Sequence, residues 1–268
     1  MSYKAWTFIK RDFIIESSYK LNFILTFFNS LFPIISFFFV SKLINGAENI
    51  SLDKYGGNYF DFALIGISFT RFFQLAVETF SSNIKRAQMA GCLEAILSSQ
   101  TESKKVVLFS SLYSFLSAGI QLVFMFIVSF IFFKFDFSNT NVFATIISVF
   151  ISIITFISLG IFSAAGTVIF KQGEPISWVF GTLSALLSGA VFPVTVLPSW
   201  LQYVSHVLPT TYALEAIRLS CLQNFNVVML HQQLLILSLM ALILFPLSLR
   251  TFEWAVERGK KDGTLMLY

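Results

Sequence analysis

Charge is scarce in this chain: Asp, Glu, Lys and Arg make up 12% of 268 residues, while 56% are hydrophobic. Soluble globular domains carry roughly 25% charged residues, so the shortfall excludes an ordinary soluble domain. Histidine and cysteine are nearly missing, with two of each. That leaves no ligand set for a structural metal and no disulfide framework. No H-E-x-x-H, no G-x-S-x-G and no paired intramembrane aspartates occur, so no catalytic residues are assigned. G-x-x-x-x-G-K-[ST] is absent too, and the chain has no phosphate-binding loop of its own. Neither an internal repeat nor a low-complexity tract is visible. Proline is rare, but three of the six fall between Gly189 and Thr211.

What is abundant is apolar length. A mean hydropathy of +0.78 exceeds what one soluble core can hide. A hydrocarbon core of about 30 Å needs about 20 apolar residues per helix, and runs of that size lie near 21–43, 61–83, 106–133, 142–170, 176–196 and 231–250. The predicted fold is all-α and membrane-spanning, with six transmembrane helices in a single domain over 1–268. The first run is too long for a signal h-region and lacks an A-x-A-like exit. Basic residues near span ends are retained in the cytoplasm. Thirteen fall on one set of loops, including Lys10, Arg11, Lys85, Arg86, Lys104, Lys105 and Arg250. Four fall on the other: Lys42, Lys54, Lys134 and Arg218. Both termini are therefore expected in the cytoplasm. The net charge of +4 is spread over separate loops, which excludes a nucleic-acid surface. Cys92 and Cys221 fall on opposite sides and cannot pair within one chain.

Between the spans, four segments stand out. In 1–20, Tyr3, Trp6, Ile9 and Phe13 share a helical face, with Phe8 and Ile15 off the pattern, which predicts a helix lying in the inner interface. In span two, Arg71, Gln74 and Glu78 at i, i+3 and i+7 form a polar strip. The strip lines a pathway or seam, or locks helices through an ion pair or polar ladder. In the cytoplasmic loop 84–105, Met89, Cys92, Leu93, Ile96 and Leu97 have amphipathic-helix spacing; such a helix lies on the membrane or docks a partner. Span five carries a small-residue stripe, Ser177, Gly181, Ser184, Ala185, Ser188 and Gly189, which permits close helix approach. The loop Ala47–Asp61 is expected outside, and 251–268 reads as a polar inner tail.

The proline-rich stretch is expected to break span five at Phe192-Pro193. Pro198 and Pro209 then restart two short helices within 189–222, the second capped by Thr210 or Thr211. Trp200, Tyr203 and Tyr212 favour the outer interface. Broken backbone at membrane depth requires surrounding protein, so this pair is expected to be re-entrant. Glu215 and Arg218 are i, i+3 neighbours able to pair, and His206 reads as interfacial.

These residues carry a resemblance. Gly189, Phe192, Pro193, Leu197, Pro198, Trp200, Pro209, Tyr212 and Arg218 follow G-x-x-F-P-x-x-x-L-P-x-W, then P-x-x-Y-x-x-x-x-x-R, as in the ABC-2 type transport permeases. These are the transmembrane subunits of type V ATP-binding-cassette exporters. "GCLEAILSSQ" (Gly91 to Gln100) is similar to the family's G-T-L-E-x-L-L-x-S-P, with Cys92 and Gln100 departing from it. The tail "ERGKKDGTLMLY" is similar to the family ending. Near the first span, Arg11-Asp12 and Tyr19-Lys20 partly match the polysaccharide exporters, but "LNFILTFF" does not.

The resemblance implies a homodimer in membrane lipid, served by two copies of a separate ATPase that binds ATP and Mg. It implies that Met89, Gly91, Cys92, Leu93, Glu94 and Leu97 couple to that ATPase. Gly189, Phe192, Pro193, Pro198, Trp200, Pro209, Tyr212 and Arg218 would form an outer gate. The expected cargo is an amphipathic, drug-like or lipid-like molecule leaving the cytoplasm or inner leaflet of a prokaryotic inner membrane. The alternatives are a cell-envelope polysaccharide or glycolipid, and a stand-alone secondary transporter or channel using Arg71 and Glu78.

Overall fold

The computed structural model describes residues 2–18, 20–44, 50–97, 102–170 and 174–261. Parts of the outer loop (45–49), the cytoplasmic loop (98–101), the inner turn (171–173) and the tail (262–268) lie outside the described residues. So do the side chains of Tyr3, Ile15, Leu97 and Ser177.

Among the described residues the chain is helical without strands. Helix α1 (Ser2–Ser18) precedes α2 (Lys20–Ile44), and a 3-10 turn (Ile50–Tyr55) leads to α3 (Tyr59–Met89) and the short α4 (Leu93–Leu97). Then come α5 (Ser103–Phe133), α6 (Val142–Phe170), α7 (Glu174–Leu187), α8 (Ser199–Val207), α9 (Pro209–Leu222) and α10 (His231–Lys261). Among the described residues, five helices are long and apolar enough to cross a membrane: α3, α5, α6, α10 and the Leu25–Leu43 part of α2.

The run read as a fifth span differs. Helix α7 has 14 residues, about 21 Å at 1.5 Å per residue, short of a 30 Å core. It ends at Leu187, before the proline rather than at it, and Gly189 takes φ +79°. Only glycine adopts that backbone without strain. Thr210 and Thr211 do not cap α9 either: Leu208 is the N-cap and Pro209 opens the helix.

Helix α3 is the core element, with most of its apolar stretch buried. Asn58 starts it, accepting from the Phe60 N–H at 3.0 Å, which satisfies one of the free donors of the first turn. Its inner face packs Phe73 flat on Phe156 of α6, ring centroids 4.1 Å apart. Helix α6 lies between α3 and α10. It approaches α3 closely because Gly160 has no side chain: a Cβ there would meet Phe80 at 2.3 Å. Ser148, Ser152, Thr155, Ser158 and Thr167 are fully buried on α6, and each hydroxyl donates to the carbonyl four residues back. In hydrocarbon that is how a hydroxyl stays satisfied without a partner helix.

Helix α1 lies along α5, with Phe8 against Phe109 and Phe13 against Tyr113. Phe8, off the predicted face, is thus a docking residue. Trp6 remains exposed. Helix α10 runs on to Lys261, so the described part of the tail is helix, with Phe252, Ala255 and Val256 buried in the inner core.

Candidate functional site

The turn after α7 is built around one side chain. Arg218 of α9 is 3% exposed and donates to three backbone carbonyls: Gly189 (2.7 Å), Ala190 (2.7 Å) and Phe62 of α3 (3.2 Å). Its guanidinium also lies over the Phe62 ring, 3.5 Å from the centroid. The need for it follows from the sequence. In a continuing helix the Gly189 carbonyl would accept from residue 193, and Pro193 has no N–H to give. Arg218 supplies the missing donor and ties the turn to α3. Cation–carbonyl bonds of this kind are stronger than neutral ones.

Gly66 of α3 makes the approach possible, since a Cβ there would lie 1.9 Å from the Ala190 oxygen and 2.1 Å from the Arg218 guanidinium. Sequence reasoning missed it. The available signal was a lone glycine inside the apolar helical run "FALIGISF", which marks close backbone approach.

Arg218 does not pair with Glu215, contrary to the spacing argument. Glu215 instead accepts a hydrogen bond from Lys54, across from α9. Burial pulls Lys54 downward, but the hydrogen bond and charge of Glu215 outweigh it and hold the ammonium above the ordinary lysine range. Burial raises the neighbouring Tyr55 phenol, and the Glu215 charge adds to it. Lys54, Tyr55, Pro193, Gln202, His206 and Arg218 help line a cavity of about 220 Å³.

Depth can be read from α3. Thr210, at the start of α9, donates to Ser184 of α7 at 3.0 Å. Both line a crevice with Thr70, Gln74 and Gly181. Thr70 is eleven residues past Tyr59, about 17 Å along the helix. At the other end of α9, the Ser220 carbonyl accepts from the Asn141 N–H at 2.8 Å, where α6 begins. Helix α9 therefore starts level with the middle of α3 and ends level with the start of α6. Of the predicted gate residues, Gly189, Pro193, Pro209 and Arg218 meet in or next to this unit. Phe192 is half-buried, Tyr212 faces His206 (6.4 Å), and Trp200 is exposed on α8. Gly181 and Ser184, part of the small-residue stripe, serve contacts within the chain: a Cβ on Gly181 would meet Gln74 at 2.8 Å.

The polar strip on α3 is divided. Gln74 donates to Glu78 at 2.9 Å. Arg71 turns elsewhere, into a cavity between α2, α3 and α5. No Arg71–Glu78 ion pair forms, and the ion-coupling alternative loses its proposed pair.

At the inner end, the predicted amphipathic helix over Met89–Leu97 is interrupted. Met89 closes α3 and is exposed; Gly91 takes φ +65°, and the Cys92 N–H returns to the Ala87 carbonyl at 3.1 Å. Leu93, first in α4, is 1% exposed and packs among Phe80, Ile84, Val107 and Phe252. Glu94 faces outward. A cavity of about 290 Å³ separates this turn from α1, lined by Phe8, Arg11, Asp12, Arg86, Cys92 and Leu93. No group of residues suited to a metal ion occurs among the described residues.

Long apolar helices around a buried polar turn define a multi-pass helical membrane protein. The ABC-2 type transporter family model matches residues 3–222, and the chain belongs to that family. It is a transmembrane permease of an ABC transporter. No curated protein matches it.

Proposed function

We propose that this permease is the membrane half of an ATP-driven exporter, paired as a homodimer and driven by two copies of an ATPase that supplies the ATP and Mg site. The observation that supports it is the inner turn. Leu93 anchors α4 in the inner core formed with α3, α5, α6 and α10, while Met89 and Glu94 project outward. A partner pressing on the outer face of α4 would therefore move the inner ends of four helices together. ATP can drive such a shift only by binding one conformation better.

In this reading both termini are cytoplasmic and the membrane is a prokaryotic inner membrane. Helix α7 and the turn held by Arg218 make a fifth crossing, with α10 the sixth, and α8 and α9 form the re-entrant outer gate. Large apolar side chains on α5, α6 and α10 are exposed, as contact with lipid requires. An amphipathic, lipid-like or drug-like cargo suits the shortage of charge at depth. The test is co-purification and ATPase coupling with the cognate ATPase. Glu94→Arg should abolish complex formation, and Leu93→Ala should preserve the complex but lose transport-coupled hydrolysis. Wild-type assembly and transport in both variants would defeat the proposal.

A further inference from the structure

We propose that the cavity beside Arg71 holds the acidic headgroup, carboxylate or phosphate, of a tailed amphiphile whose chain lies in the groove along α5. Naming that ligand a transport substrate rests on the exporter reading; its binding rests on geometry alone. Arg71 lies twelve residues past Tyr59 on α3, about 18 Å along the helix. That is near the middle of a 30 Å hydrocarbon core, and its side chain cannot carry the charge to an interface about 15 Å away. Charge at this depth is normally paired or faces a cavity. Among the described residues Arg71 has no acidic partner, and Glu78, two turns further along the helix, is already bonded to Gln74.

What surrounds Arg71 is a receptor for an oxyanion. Asn29, Ser30 and Thr26 of α2 and Gln121 of α5 line the same cavity, of about 320 Å³, and among the described residues no carboxylate does. Asn, Gln and Arg side chains all donate. A cationic or neutral occupant would leave the arginine uncompensated in a medium where that is costly. The volume is at the low end of the roughly 300–1,000 Å³ of small-molecule pockets, enough for a headgroup.

A candidate tail site lies on neighbouring positions of the same helices. Phe27 follows Thr26, Phe72 follows Arg71 and Leu122 follows Gln121, and these three neighbours line an almost wholly apolar groove of about 1,090 Å³. The same three helices thus present donors to one side and hydrocarbon to the other. A charged head with an apolar tail matches both.

The test uses the full chain purified in a neutral maltoside detergent, with fluorescent cis-parinaric acid and its methyl ester as probes. Charge-assisted hydrogen bonds contribute about 1.5–3 kcal/mol, so the acid should bind about 10- to 150-fold tighter than the ester. Arg71→Gln should bring the two together, Arg71→Lys should keep most of the preference, and Gln121→Leu should weaken the acid without changing the ester. Equal binding of acid and ester by the wild type would overturn the proposal, as would an unchanged preference in Arg71→Gln. Displacement of parinarate by millimolar inorganic phosphate would make this a small-anion site and overturn the tailed ligand. The binding is read without ATP or ATPase. Intact acid preference in a chain that fails to couple would therefore sink the exporter reading alone.

Discussion

Replacing Arg218 with methionine removes the guanidinium while keeping much of the side chain's length and packing. The Phe62 carbonyl lies inside α3 and keeps an intrahelical donor, so its loss is small. The carbonyls of Gly189 and Ala190 have Arg218 as their donor, and each buried acceptor left unpaired costs about 1–3 kcal/mol. Against the resulting 2–6 kcal/mol stands relief from burying a charge; we expect a net destabilisation of the turn of about 2–4 kcal/mol. At 1.4 kcal/mol per tenfold, the open population of the turn rises about 30- to 700-fold. The assay is maleimide labelling of Ser188→Cys, a position 2% exposed, in a background with Cys92 and Cys221 replaced by alanine. When reclosing is faster than reaction, the labelling rate follows the open population. Arg218→Lys, with one ammonium in place of a planar fork, should fall between. Wild-type labelling rates in Arg218→Met would refute the assignment of Arg218 as the donor that holds the turn.

Gly66→Ala should act on the same turn from the opposite side, because its methyl would sit 1.9 Å from the Ala190 oxygen. Overpacking costs about 1–3 kcal/mol, and Ser188→Cys labelling should rise by about 5- to 150-fold. Lys54→Ala or Glu215→Gln, by contrast, breaks a partly exposed pair. The loss of thermal stability in detergent should correspond to at most about 1 kcal/mol, and raised salt should shrink the difference from wild type.

The five long helices were legible in the sequence because a bilayer sets a length that a run of apolar residues either meets or does not. Those of α2, α3, α5, α6 and α10 meet it. The end of α7 was not legible. Proline sterics place the break at Phe192-Pro193, yet the backbone leaves the helix at Leu187, where carbonyls freed near Pro193 can reach Arg218, 28 or 29 residues further on. Helical spacing showed Glu215 as the neighbour of Arg218, but i, i+3 proximity says nothing about a tertiary acceptor. The inner turn was misread for a similar reason: Met89 and Leu93 fit one amphipathic wheel, and only the left-handed Gly91 separates them. Pro198 and Pro209 were informative because proline at or just before a first turn constrains the chain locally, whatever packs around it.

The shortness of α7 also bears on how the protein is made. Before Arg218 reaches it, a 14-residue helix followed by unpaired carbonyls has no stable home in lipid by itself. The backbone at Gly189 and Ala190 becomes satisfied only once α9 has been synthesised and Arg218 has reached it. Helix α3 and its Gly66 notch must already be in place to receive the turn. Insertion of residues 174–222 is thus a docking event onto an existing bundle, completed after the chain has passed Arg218. A ribosome paused between Pro193 and Arg218 would leave this segment at the translocon without a membrane position it can hold.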